Sequence, residues 1–262
     1  MGIETSFERI GRLIAAGGTP DLPRCLADVL RTIAPFDFTV IFGYRGAARP
    51  LDLYDDFPRQ KQAIFVTDYQ AGPYLLDPFY RAATKPVAPG LYRMRDLAPD
   101  RFYQGEYFRS YYVQTGLAEE VGYFIGLHHD AMAVVSLMRA DKPFSAREFA
   151  ALRTAWPIVE AAAQRHWADL ASRFEAAKST GPDAPDRQIE RSFQHFGQGL
   201  LTPREREVVE YTLKGYSAEA ICQILGISSG TVRIHRRNIY AKLGISSQGE
   251  LFARFIETLV AT

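Results

Sequence analysis

Four cations, Arg233, Arg236, Arg237 and Lys242, fall between Ser228 and Leu243, a stretch without a single Asp or Glu. The chain as a whole carries a net charge of only +1. The positive charge is therefore local, which is the electrostatic footprint of a phosphate-binding surface. On a helix, Val232, Ile239 and Leu243 fall on a side that can pack, while Arg233, Ile234 and Arg237 share another that is available to a nucleic-acid groove. A run of solvated cations on a packing helix would show the same composition; the punctuation around this segment argues for DNA.

That punctuation defines four helices. Thr202, followed by Pro203 and by Glu205 three residues on, has the spacing of a capping box and starts the first. Val208, Val209, Tyr211, Thr212 and Leu213 supply its apolar side, and Gly215 stands where a helix commonly ends. Ser217 caps a second helix whose Ile221, Ile224 and Leu225 recur at helical steps before Gly226. Ser228 caps the third, which carries the cations and runs to about Leu243. Two helices joined by a three- to four-residue turn containing Gly form a helix-turn-helix unit.

The segment from Leu201 to Ile256 resembles the LuxR-type DNA-binding domain, also called NarL/FixJ or GerE-like, through L-T-P-R-E-x-E-V, Gly215, I-S-x-G-T-V-R-x-H and I-Y-x-K-L. The resemblance implies that the third helix enters the major groove and that the fourth supplies a dimer contact, here Leu251, Phe255 and Leu259. Carried over by position, Arg233, Ile234 and Arg237 are base- and phosphate-reading residues, Thr231 and His235 recurrent positions of the same helix, and Lys242 a further DNA-binding cation. The expected partner is a pseudo-palindromic operator bound by a homodimer, with RNA polymerase as a further partner.

A length of 262 residues favours two domains. Apolar residues make up 47% and charged residues 23% of the chain, an ordinary globular balance. No apolar run reaches membrane-spanning length and the start lacks a signal pattern, so a cytoplasmic protein without a membrane partner is expected. Cys25 and Cys222 lie in apolar helical patterns and read as reduced core residues. Zinc spacing, a Gly-rich phosphate loop and a nucleophile elbow are all missing, so neither an enzyme nor a metal or other cofactor is expected. His128 and His129 are adjacent, point to opposite sides of a strand end, and read as a turn.

The organisation expected is a sensor domain over residues 1–176, a linker over 177–199 and a helix-turn-helix domain over 200–262. Helical patterns at 7–14 and 22–33 precede strand-type segments at 38–44, 120–127 and 131–138, the last two flanking a hairpin turn. Further helices are expected near 59–69 and 105–112. Residues 145–176 read as a long helix kinked by Pro157. The linker begins with Gly, Pro, Ser and Asp, and 186–196 reads as a short helix. The fold class is α+β, a GAF- or PAS-like sensor domain followed by an all-α four-helix domain. Two opening helices exclude a phosphorylated receiver, which alternates strands and helices from the start.

Phe and Tyr concentrate between Phe36 and Phe124, more densely than a core of this size needs, which points to a small-molecule pocket. This region resembles the autoinducer-binding domain of LuxR-type quorum sensors through Phe65, Tyr69 and Asp77-Pro78. That family has Trp where this chain has Phe65 and Tyr92, and its Tyr-to-Asp spacing differs by one residue. Phe65, Tyr69, Asp77 and Tyr92 are the candidate effector-binding residues. The reading is a one-component transcriptional regulator with an effector-sensing N-terminal domain; the alternatives are an acyl-homoserine lactone receptor and a regulator controlled by a protein partner.

Overall fold

The computed structural model describes residues 3–85, 87–110, 112–178 and 196–260. They divide into two compact units, one built from Met1–Val66, Phe79–Leu97 and Gly116–Pro182, the other from Thr67–Pro78, Ala98–Thr115 and Asp183–Thr262. The expected helix at 186–196 lies outside the described residues, apart from Phe196.

The first unit is organised by a five-stranded antiparallel sheet. Its strands are β1 (Phe38–Arg45), β2 (Leu51–Asp55), β3 (Gly90–Arg93), β4 (Glu119–Gly126) and β5 (Ala131–Arg139), in the order β2-β1-β5-β4-β3. The hairpin between β4 and β5 turns at His129 and Asp130, both with a φ of 58°. Two successive left-handed residues make the turn whose twist matches that of the flanking strands. The histidines are thus spent on a turn.

Every residue of β5, and all of β4 but its last, is buried, so both faces of the sheet are covered. Alternation assigns the faces. Ile41, Val121, Tyr123, Ile125, Ala133, Val135 and Leu137 point to a core shared with α1 (Ile3–Ala15), α2 (Leu22–Ile33), and three later helices. Those are α7 (Ala146–Thr154), α8 (Trp156–His166) and α9 (Leu170–Lys178). Gly43 lets α9 approach, since a Cβ there would lie 2.9 Å from Leu170. The opposite face carries Phe42, Tyr44, Phe124 and Tyr92 and meets Phe79 and Tyr80 of α4 (Pro78–Thr84).

The expected single kinked helix is instead broken. Ser145 caps α7 with a reciprocal capping box to Glu148, Ala155 ends it, and Pro157 sits in the first turn of α8. Proline lacks the N–H that continuation would require, and the first turn tolerates this. The expected helix near 59–69 is divided into α3 (Arg59–Gln62) and a π-helical stretch, Ala63–Asp68. Near 105–112, the structure forms α6 (Glu106–Ser110), which follows α5 (Met94–Leu97) in chain order.

Charges tie strand ends to α7. Arg93 grips both oxygens of Glu119 at 2.6 and 2.7 Å and donates to the Phe144 carbonyl at 3.0 Å. Arg139, almost fully buried, binds Glu148 at 3.0 Å and also donates to the Pro35 carbonyl. Hydrogen bonds from Arg139, then those from Ser145, hold the Glu148 carboxyl down at about 2. A carboxylate depressed below its ordinary 4.5 stabilises the fold above that value, and the contribution disappears as pH falls toward 2. Glu148→Gln should therefore cost about 1 kcal/mol near neutral pH. Thermal melts at stepped pH should show the gap to wild type closing on acidification through that window.

Candidate nucleic-acid interface and effector face

The DNA-reading part of the second unit consists of α10 (Pro203–Leu213), α11 (Ala218–Leu225), α12 (Ser229–Leu243) and α13 (Gln248–Val260). Each boundary follows from the sequence. Thr202 and Glu205 form the reciprocal capping box, Ser217 caps α11 through the Ala220 amide, and Ser228 caps α12 through the Thr231 amide. Gly226 and Gly244 close α11 and α12 in the left-handed conformation, with φ of 64° and 65°.

On α12, Val232, Ile239 and Leu243 are buried. Arg233 and Arg237 are exposed, and so is Ile234, at 52%. These three share one face, so α12 presents two cations flanking an apolar side chain to solvent. Thr231 and His235 are half-buried beside them, with the Thr231 hydroxyl 2.8 Å from that of Ser228. Arg236 turns inward and donates to the Thr212 hydroxyl at 3.3 Å.

Lys242 is placed differently from the other cations. Its ammonium lies 2.6 Å from the Glu205 carboxylate, whose side chain is only 4% exposed. Burial alone would raise the Glu205 carboxyl, but hydrogen bonds from Lys242 and from Thr202 outweigh it and hold the group below the usual carboxylate range. One carboxylate thus caps α10 at the Thr202 amide, 2.8 Å away, and anchors the end of α12. The sequence shows the first of these bonds as a capping-box spacing; the second spans 37 residues and carries no local signal.

A tie that the sequence does not announce fixes the turn between α10 and α11. The Asp100 carboxylate accepts from the Ser217 amide at 3.0 Å, and the Arg101 amide donates to the Gly215 carbonyl at 3.0 Å. Gly215 has a φ of 86°, and a Cβ there would stand 2.8 Å from the Phe102 Cα. Glycine is required twice over, by conformation and by approach. Burial would raise the Asp100 carboxyl, yet the hydrogen bonds from Ser217 leave it lowered. The aromatic run that follows packs on itself in this unit, Phe102 against Tyr107 and Phe108, and Phe108 stacked on Tyr112 at 5.1 Å.

Two of the residues expected to form the dimer contact, Leu251 and Phe255, face inward on α13. Leu251 is 1% exposed and Phe255 fully buried, with Phe255 meeting Phe196 edge-on. Their apolar surface is consumed by the chain's own core. Leu259 lies outside the residues whose side chains are described, and the exposed positions of the helix include Ala253, Arg254 and Glu257.

The four effector candidates are all largely buried or ring-packed, and they divide between the units. In the first, Phe65 stacks on Phe57 with centroids 4.3 Å apart, and Tyr92 meets Phe124 edge-on while its hydroxyl donates to the Ala88 carbonyl at 2.8 Å. In the second, the Tyr69 hydroxyl donates to the Asp77 carboxylate at 2.6 Å, both residues being buried. Cys25 and Cys222 are free thiols, both partly buried, and Cys25 packs against the edge of the hydrophobic core. Among the described residues no cluster of three or more His, Cys, Asp and Glu could hold a metal, and no helix is long and apolar enough to cross a membrane.

Removing Lys242 strands a buried carboxylate, so Lys242→Ala should destabilise the protein by about 1 to 3 kcal/mol. Urea denaturation followed by circular dichroism measures this. Native stability together with a salt slope of operator binding reduced by about one would instead place Lys242 on a phosphate.

The geometry of these four helices agrees with what this chain is similar to. The model of the bacterial regulatory proteins of the luxR family matches residues 199–254. A putative HTH-type transcriptional regulator in the exeN 3′ region of Aeromonas salmonicida is 33% identical over 189 residues, covering 70% of this chain and 95% of that protein. The transcriptional regulatory protein TdiR of Thauera aromatica is 35% identical over 83 residues, 32% of this chain and 37% of the other. Among solved structures, the VqsR LBD domain from Pseudomonas aeruginosa superposes with a TM-score of 0.55 at 26% identity, covering 61% of this chain and 94% of that one. The first two of these relatives are named as transcriptional regulators, and in this chain an α/β N-terminal part is combined with a helical DNA-binding domain. The chain is a DNA-binding transcriptional regulator and belongs to the luxR family of bacterial regulatory proteins.

Proposed function

We propose that this protein is a one-component regulator in which residues 1–176 bind a small-molecule effector, 177–199 link, and 200–262 bind a pseudo-palindromic operator as a homodimer. It acts in the cytoplasm, and occupancy by effector alters operator affinity and the response of RNA polymerase. The observation that carries the DNA half is the outward Arg233, Ile234 and Arg237 of α12. An exposed isoleucine gains little from burial in the free protein, and its position between two guanidinium groups suits a groove wall, where cations meet phosphate or guanine edges.

The effector half is supported by the second face of the sheet, whose rings, Phe42, Tyr44, Tyr92 and Phe124, exceed what strand pairing requires, and by the likeness to the VqsR LBD domain. Apolar walls with a few placed polar groups are the usual make-up of a ligand site. Phe65 and Tyr92 are the ring candidates in the first unit; in the second, Tyr69 with Asp77 is a phenol-carboxylate pair of a kind that can orient a hydrogen-bond donor on a ligand.

Arg233→Ala and Arg237→Ala should each weaken operator binding by about 1 to 3 kcal/mol where the lost contact is bidentate to a base, with native circular dichroism. Fluorescence anisotropy on the operator measures it, and unchanged affinity in both variants removes these residues from the interface.

Effector and operator must be coupled reciprocally: a tenfold tightening of one is a tenfold tightening of the other, about 1.4 kcal/mol. Native mass spectrometry of the purified protein identifies the effector. Titrations should then show Tyr69→Phe and Asp77→Asn binding it about tenfold or more weakly than wild type. Wild-type affinity in two folded variants makes these residues core and moves the site elsewhere.

A further inference from the structure

Helix α1 has two apolar stripes, and only one of them is buried among the described residues. Leu13 and Ala16 are buried, and Ile10 packs beside them, in the core shared with Leu22 and Leu26 of α2. On the outer side Phe7 is 68% and Ile14 73% exposed, the highest exposures of any large hydrophobic side chains among the described residues. They are seven residues apart, two turns along one face. Gly11 lies between them on that face, and a Cβ built there meets nothing within 4 Å, so the middle of the stripe is open to a second backbone.

The surroundings of the stripe specify its occupant. Glu8 and Arg12 flank it, exposed, opposite in sign and one turn apart. The adjoining groove between α1 and α2, about 250 Å³ in volume, is lined by Glu8, Arg9, Arg12, Cys25 and Asp28, two acids against two cations. A surface balanced in this way offers no net attraction to nucleic acid or to a strongly charged partner. It is complementary to its own copy. A two-fold axis through Gly11 sets α1 antiparallel to itself, and in that arrangement each large apolar residue meets the other kind.

We propose that the outer face of α1 is a homodimer contact: two α1 helices cross at Gly11, Phe7 of each protomer packs on Ile14 of its partner, and Glu8 of each lies beside Arg12 of its partner. The contact rests on the homodimer reading and gives it a place, since Leu251 and Phe255 of α13 are already buried. Small residues at a helix crossing permit close approach, and two large side chains on either side supply the apolar area that drives association.

The test uses the full chain in sedimentation equilibrium without DNA, and on operator DNA. Wild type is expected to be dimeric, and Phe7→Glu and Ile14→Glu to weaken the dimer at least about tenfold with unchanged circular dichroism. Glu8→Arg alone should weaken it, and Glu8→Arg with Arg12→Glu should restore it, a rescue that misfolding does not mimic. Gly11→Cys should form a covalent dimer on oxidation where wild type, with Cys25 and Cys222, forms none. Dimers of undiminished strength in both glutamate variants, without crosslinking at position 11, overturn the α1 contact while leaving the homodimer reading standing. A wild-type chain that is monomeric in solution yet binds two to an operator also overturns it. One protomer per full operator overturns the homodimer reading itself.

Discussion

The buried Glu205 carboxylate is the point on which the DNA-reading unit turns. It accepts from the Thr202 amide at the start of α10 and from the Lys242 ammonium near the end of α12. Without both donors, an ionised group at 4% exposure would carry an uncompensated desolvation penalty. Helices α10 and α12 are therefore joined through one charge. Other polar links follow the same direction: Arg236 reaches the Thr212 hydroxyl of α10, and Arg204 reaches the Leu225 carbonyl at the end of α11. The outward Arg233 and Arg237 remain available because the other cations of the helix are spent on its placement.

The first unit solves a different problem. An antiparallel sheet commonly leaves one face to water, yet β4 and β5 are covered on both sides. Aliphatic residues mixed with rings such as Tyr123, Phe149 and Trp167 fill the layer under α1, α2 and α7–α9, while aromatic rings line the other face. The helix-covered side is close-packed around Leu26, Leu30, Leu152 and Val159, all at zero exposure. The aromatic side depends on Gly122, where a Cβ would stand 2.7 Å from Phe79. Edge-on rings hold one another through few contacts and leave room for polar tips, which aliphatic packing does not.

Local chemistry made the helical unit legible. Thr202, Ser217 and Ser228 cap where their side chains predict, Gly226 and Gly244 end helices by left-handed conformation, and the strands at 38–44, 120–127 and 131–138 follow from their strand-type residues. What was not legible is non-local or weakly patterned. Strand β2 is short, ends in Asp55 and is only half-buried, and β3 has four residues, so neither has a period to read. The facing of α13 was misjudged because Leu251 and Phe255 look the same in sequence whether they meet a second chain or Phe196. Pro157 signalled a disturbance, but only the fold distinguishes a kink from two helices. Of the site, the α12 face was read from charge and spacing, whereas the partner of Lys242 and the division of Phe65, Tyr69, Asp77 and Tyr92 between two units depend on contacts far apart in the chain.

The tie at Gly215 bears on how such a regulator can be cut or recombined. Its DNA-reading helices are completed by Asp100, Arg101 and Phe102, a stretch that precedes them by more than a hundred positions. A fragment beginning after the linker would leave with the Ser217 amide and the Gly215 carbonyl stripped of their partners and with the Phe102 backbone gone from above the glycine. Water would take up the bonds but not the packing. Shuffling readers among sensors by simple fusion would then discard part of the reader, and a working chimera would have to import residues 98–115 as well, so that the natural seam for exchange is a discontinuous one.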